Sequence, residues 1–216
     1  MKGLFITFEG TEGCGKSTQV GLLADRLRSM GCFVRTLREP GGTPIGEEIR
    51  HTLKHSHQNH AMMPEAELLL MNASRAQLVR EVIRPAMAAG EIILCDRFYD
   101  STIAYQGYGR GLNLATVRQV IDLAVGEARP DLTLLLQVAT EVSEGRRLAR
   151  QPNLPMDIQR DRFEENDRAF FERVALGYKA IAETEPNRVR VIDASSSVED
   201  VRRSIWSCIQ HLLARR

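Results

Sequence analysis

Residues 10–18 read Gly-Thr-Glu-Gly-Cys-Gly-Lys-Ser-Thr. The spacing G-x-x-x-x-G-K-[ST] is that of a loop built to hold phosphate. Gly10, Gly13 and Gly15 let successive backbone N–H groups turn inward around anionic oxygens, with Thr11, Glu12 and Cys14 filling the loop between them. Lys16 has the reach for β- and γ-phosphates, and the hydroxyl of Ser17, followed by Thr18, offers a ligand to Mg²⁺. The chemistry implied is the binding of a nucleoside triphosphate, ATP or GTP.

Three further polar runs interrupt an otherwise apolar pattern. Leu4–Phe8 ends in Glu9 just before the glycine loop. A second apolar run is followed by Arg38-Glu39-Pro40-Gly41-Gly42-Thr43. A third ends in Asp96-Arg97-Phe98-Tyr99 and continues through Ser101, Thr102, Tyr105 and Gln106. Binding groups of open α/β sheets gather beyond the carboxyl ends of the strands. There Asp96 is suited to hold Mg²⁺ through water, and Arg97 to hold a phosphate that is transferred. Arg75 breaks an apolar stretch of Leu69, Leu70, Met71 and Leu78, either by reaching out to solvent or by projecting into a substrate pocket. Arg146, Arg147 and Arg150, then Arg160, Arg162 and Arg168, flank the proline-broken segment QPNLPM at 151–156. That arrangement reads as a lid over residues 146–160, or as a solvated helical hairpin whose arginines pair with Glu164, Glu165 and Asp167.

The elements that position these groups follow from periodicity. Five apolar runs read as parallel strands: Leu4–Glu9, Phe33–Leu37, Glu91–Asp96, Leu132–Val138 and Val189–Asp193. They are near-continuously apolar, as expected where both faces of a sheet are covered. After the glycine loop, Val20, Leu23, Leu27 and Met30 recur on one helical face. Further helices are expected at 45–55, from Pro64 to Met87 with Gly90 as a stop signal, from an Asn113 cap through Ala124, after a Thr140 cap, at 158–184 and at 198–214. Strands alternating with helices indicate an α/β fold: a five-stranded parallel sheet flanked by helices, a P-loop hydrolase or kinase fold with a lid, in one domain over residues 1–216.

The chain has 216 residues, 29 Lys plus Arg against 28 Asp plus Glu, and a formal charge of +1. Nothing in that balance calls for nucleic acid. No apolar stretch approaches the ~20 residues of a membrane span. The N-terminus runs straight into the first strand without a leader pattern, so the expected location is the cytoplasm. Cys14, Cys32, Cys95 and Cys208 form no C-x-x-C pair, and free thiols are expected. Cys14 is either a small filler within the loop or a thiol activated by the helix end. An Asn-Lys-x-Asp guanine-reading motif is missing, and the chain is short for a mechanical ATPase. A small kinase that moves a γ-phosphoryl group to a small acceptor is what remains.

In this order, FEGTEGCGKST, REPGGT, NASRAQL, DRFYDSTIAYQG, RPDLTLLL and the segment Asp161–Glu164 resemble the bacterial thymidylate kinases, and the resemblance covers nearly the whole chain. The phosphate loop is shared by many families; REPGGT with DRxxxSTxAYQG is far more specific. The resemblance implies ATP + dTMP ⇌ ADP + dTDP with Mg²⁺, in a cytoplasmic homodimer. It implies that Arg75 hydrogen-bonds thymine, that Thr102 helps read the base edge, and that Tyr105 lies under the deoxyribose. Arg38 and Arg97 then hold the acceptor phosphate, Glu12 contacts the sugar or the transfer site, and Gln106 belongs to the same substrate set. The loop carries no arginine, so the resemblance implies transition-state arginines from the lid, with Arg146 and Arg150 the nearest matches; Ala194 and Ser195 match a loop that touches adenine. Three positions depart from the pattern. Met71 replaces a phenylalanine against thymine, Gln137 replaces an aspartate after the fourth strand, and QPNLPM lengthens the lid.

Overall fold

The computed structural model of the chain describes residues 3–56, 59–139, 141–143, 145–146, 163 and 166–214. Five parallel strands, β1 (Leu4–Glu9), β2 (Val34–Arg38), β3 (Ile92–Asp96), β4 (Leu132–Gln137) and β5 (Val189–Asp193), form one sheet in the order β2-β3-β1-β4-β5. The order reverses at β1, whose neighbours β3 and β4 lead away on either side. That switch point is where an open α/β sheet leaves a crevice for ligands.

Side chains along β1 alternate between two cores. Phe5 faces Leu68, Leu78, Ile93, Phe98, Ile121 and Val174, while Leu4, Ile6 and Phe8 face Leu23, Leu27, Ile92, Leu134 and Ile205. Helices α1 (Lys16–Ser29) and α8 (Val198–Leu213) cover the second face. Helices α3 (Pro64–Leu78), α6 (Leu114–Val125) and α7 (Arg168–Thr184) cover the first. Only the three inner strands are buried on both faces. The edge strands β2 and β5 expose Arg35, Thr36, Arg38, Arg190, Val191 and Asp193, because an edge is only partly roofed by helices.

Several expected boundaries shift. Phe33 is 83% exposed and lies before β2, and Met30 caps the exposed end of α1 rather than joining its buried face. The expected Pro64–Met87 helix is a continuous helical run interrupted by a wide π turn at Val79–Ile83 before α4 (Arg84–Ala88). Pro85 explains the interruption: it has no N–H to give to the carbonyl four residues back, and its ring crowds that carbonyl. The 158–184 helix starts at Arg168, where the Asp167 carboxylate accepts from Phe170 N. The other helix starts follow their caps. Asn113 accepts from Ala115 N and Thr116 N, Ser197 from Asp200 N, and Thr43 caps α2 (Pro44–Lys54) by accepting from Gly46 N. Thr140, Arg147 and the lid segment with Arg150, QPNLPM, Arg160, Arg162, Glu164 and Glu165 lie outside the described residues. Among the described residues, no helix is long and apolar enough to cross a membrane.

Beyond β3 the chain makes a feature that periodicity did not signal. A short helix α5 (Tyr99–Thr102) runs into a π-helical segment, Ile103–Gly109. Helix α7 lies directly on it: a Cβ at Gly109 would sit 2.6 Å from the Phe170 ring, and one at Gly177 2.9 Å from the Tyr108 ring. Glycine at both points lets the elements touch, and the wide turn aims Tyr105 and Gln106 inward.

Candidate active site

The loop after β1 closes tightly under its neighbours. Gly10 has φ 134, and a Cβ there would meet the Leu136 carbonyl oxygen at 2.3 Å. Only glycine fits that conformation and that approach. Lys16, at the start of α1, turns back over the loop and donates from Nζ to Gly10 O (3.1 Å), Thr11 O (2.9 Å) and Cys14 Sγ (3.6 Å). Cys14 is 2% exposed and fills the loop interior. Ser17 Oγ donates to Asp96 Oδ2 at 2.6 Å, which brings a hydroxyl and a carboxylate from two elements side by side.

Arg97 follows β3 in a left-handed conformation, φ 70, which is costly for a residue with a Cβ and re-aims its side chain beneath the loop. Its NH1 donates to Gly10 O (3.0 Å), Ser101 Oγ (3.1 Å) and Tyr178 OH (3.2 Å), and its NH2 to Tyr105 OH (3.3 Å). Burial opposes the charge, but Tyr105, Tyr178, Glu12 and Asp96 outweigh it and hold the guanidinium well above its ordinary range. Burial also pushes the Tyr105 hydroxyl up to about 12, so it stays a neutral partner of Arg97.

A cavity of about 220 Å³ opens between the loop, β2, β3, α3 and the π segment. Glu12, Gly13, Gly15, Lys16, Ser17, Thr18 and Asp96 line one end. Arg38, Met71, Arg75, Arg97, Thr102, Tyr105 and Gln106 line the rest. Arg75 does not reach solvent. It is 2% exposed and gives Nε to Glu39 (2.8 Å), NH1 to Asn72 Oδ1 (2.8 Å), and NH2 to Glu39 (2.7 Å) and Phe98 O (3.2 Å). Burial raises the Glu39 carboxyl above its ordinary range while Arg75 opposes the rise. The other expected residues sit around the loop's far side. Gly10, Thr11, Gln137 and Ser195 border a second cavity, and Arg146 NH1 donates to Ala194 O at 3.0 Å. Arg150 lies outside the described residues.

Several residues of the site were given no role by the sequence. Glu39 lines the cavity as the buried counter-ion of Arg75; Arg50 and Lys54, four apart on α2, and Phe163 line it too, and Glu67, behind the wall, is the buried counter-ion of Arg110. The four-residue spacing of Glu67, Met71 and Arg75 was the available signal, since it puts all three on one face of α3.

A parallel sheet with its crevice at β1, a phosphate loop opening α1, and cationic side chains on both sides of that loop define a P-loop phosphotransferase. The thymidylate kinase family model matches residues 8–205. The chain is 49% identical to a thymidylate kinase of Syntrophotalea carbinolica, over 94% of this chain and 93% of that one. It is 46% identical to one of Geotalea uraniireducens, over 98% and 99%. The crystal structure of thymidylate kinase from Ehrlichia chaffeensis superposes with a TM-score of 0.78 at 32% identity, covering 97% of this chain and all of the other. The chain belongs to the thymidylate kinase family.

Proposed function

We propose that the chain transfers the γ-phosphoryl group of ATP to dTMP, giving dTDP and ADP, at the point where the phosphate loop meets Arg97. The observation that carries this reading is the Gly10 carbonyl oxygen. Lys16 Nζ and Arg97 NH1, from two different elements, lie 3.1 and 3.0 Å from that one atom. Lys16 is the donor-side cation and Arg97 the acceptor-side one, and the transferred group carries charge from one to the other. Positioning and charge neutralisation do most of the work in such a transfer, because the acceptor phosphate is already anionic.

In this reading dTMP lies along the cavity. Its phosphate meets Arg97 and Arg38, its sugar meets Tyr105 and Glu12, and its base meets Met71, Arg75, Thr102 and Gln106. ATP lies on residues 10–18, with Arg146, Ala194 and Ser195 toward adenine and Arg150 of the 146–160 lid toward the transferred group. Ser17 Oγ and Asp96 Oδ2, 2.6 Å apart, form a hard-oxygen pair that suits Mg²⁺, an ion bound by one or two carboxylates plus substrate phosphates. When bound there, it would neutralise charge on the phosphate oxygens. The one-domain organisation, the cytoplasmic location and the absence of nucleic-acid or membrane partners remain part of this proposal. A homodimer belongs to it too, supported by large apolar side chains left exposed on α3 and α6, Leu69 at 59% and Leu123 at 78%.

A coupled assay of ADP release with MgATP tests the reading. Rapid release with dTMP, and background release with thymidine or without an acceptor, is the expected pattern. Equal release with thymidine would instead indicate a nucleoside kinase, and acceptor-independent release a bare ATPase.

A further inference from the structure

Behind the cavity wall, away from the phosphate loop, lies a buried chain of polar groups that touches neither phosphate site. Gln106 is 1% exposed and lines the cavity. Its Nε2 donates to Glu67 Oε1 at 2.7 Å, a bond between residues 39 positions apart. Glu67 is fully buried. Arg110, one residue past the π segment, grips it with Nε on Oε1 (3.2 Å) and NH2 on Oε2 (3.1 Å). The guanidinium is itself fixed, since NH1 donates to Asn166 Oδ1 at 2.6 Å and Cζ lies 4.7 Å over the Phe170 ring.

An amide can face a partner in either of two ways, and the partner decides. A carboxylate paired with arginine only accepts. Gln106 must therefore give its NH₂ to Glu67, which leaves the carbonyl oxygen for the cavity. Turning the amide over would set two acceptors face to face without water and leave both unpaired. The wall consequently presents an acceptor at Gln106, in the same cavity that Arg75 lines.

We propose that Glu67, held by Arg110, is a positioning residue for base selection: it locks the Gln106 amide so that the pocket accepts a hydrogen bond from a pyrimidine ring N–H. Thymine and uracil carry that N3–H. Cytosine has a lone pair there, which would face the Gln106 carbonyl without a proton between them. This inference rests on the placement of the acceptor base proposed above. It adds a second point of discrimination to Arg75 and assigns it to residues that do not themselves touch the base.

Glu67→Gln tests the lock. Its amide can give or accept, so Gln106 is free to turn. The ratio of kcat/KM for dTMP over dCMP should fall by roughly tenfold or more, the equivalent of one buried mispaired group. Most of the loss should appear in KM, because the base lies away from the reacting atoms. In a Gln106→Leu background the same substitution should leave the ratio unmoved, since there is no amide left to hold. If Glu67→Gln lowers turnover of both acceptors equally and keeps the ratio, Glu67 is only a structural support and the proposal is overturned. Should that variant fail to fold, Arg110→Met carries the same test, because it keeps the stack on Phe170 but removes the charge that holds Glu67. A folded Arg110→Met with an unchanged ratio overturns the proposal as well. Calorimetric binding of dTMP and dCMP to the same proteins reads the lock without turnover. Wild-type protein that fails to phosphorylate dTMP would thus refute the proposed reaction, while the binding ratio still decides the lock.

Discussion

Glu9 ends β1 completely buried, and its pH response can be worked out from its surroundings. The carboxylate receives Phe98 N at 2.7 Å, Ser101 N at 3.3 Å, Ser101 Oγ at 2.6 Å and Tyr178 OH at 3.0 Å. Burial still dominates, the neighbouring Asp100 adds to it, and the carboxyl is pushed up from 4.5 to about 7. A raised carboxyl pKa means that the folded chain holds this proton more tightly than the unfolded chain does. From pH 4.5 to about 7 the folded state is the more protonated one, so stability falls as pH rises across that window and levels off above it. At 1.36 kcal/mol per unit, the penalty at about pH 8 is roughly 3 kcal/mol. Glu9→Gln has nearly the same shape and cannot ionise, and the Ser101 and Tyr178 hydroxyls can rotate to accept from its amide. Urea unfolding of nucleotide-free protein at about pH 5 and about pH 8 measures the effect. The difference in unfolding free energy, variant minus wild type, should move in favour of the variant by roughly 2–3 kcal/mol between the two conditions. A difference that stays constant, or moves toward the wild type, would refute the assignment of Glu9 as a carboxyl penalised by burial.

Lys16→Ala should reduce dTMP-dependent ADP release to background while circular dichroism and the thermal midpoint remain near wild type, because the lysine contacts only loop atoms. Arg150→Ala should lower kcat by ~10³–10⁵, the contribution of a transition-state arginine, with far less effect on ATP binding. Near-normal kcat in both Arg150→Ala and Arg146→Ala would remove the lid as the source of that charge. dTMP should be preferred over dUMP by only about 10–200-fold in kcat/KM, since one methyl against Met71 is all that separates them; a much larger ratio would point to a polar contact at the methyl position.

How much of this was legible in the sequence depends on the range of the interaction. The phosphate loop, the five strands to within a residue or so and the cap at Asn113 are local patterns, and they stand in the structure as expected; the caps at Thr43 and Ser197 are equally local but were not singled out. The π turns were not legible, because no residue type marks a ring one atom group wider than an α turn. Pro85 becomes a reason for the first only once the helix is seen to run through it. The exposure of β2 and β5 was hidden for another reason: apolar composition does not say which strand lies at an edge.

The arginines in and behind the cavity wall show the same limit. Arg75, Arg97 and Arg110 could each be picked out as a cation, but not as a fixed one. Each is immobilised by groups far along the chain: Arg75 by Glu39 at 36 residues, Arg97 by Gly10 at 87, Arg110 by Glu67 at 43. A flexible arginine loses rotamer entropy when it binds a ligand, on the order of 2 kcal/mol. One already held in a buried ion pair has lost that freedom during folding. The buried carboxylates Glu39 and Glu67 therefore do more than balance charge. They fix the orientation of Arg75 and Gln106 in the cavity wall, and in the proposed reading a wrong base leaves one of those groups unpaired. In the proposed reading, base discrimination then depends on two buried carboxylates, Glu39 in the cavity wall and Glu67 behind it, on elements that only the fold brings together.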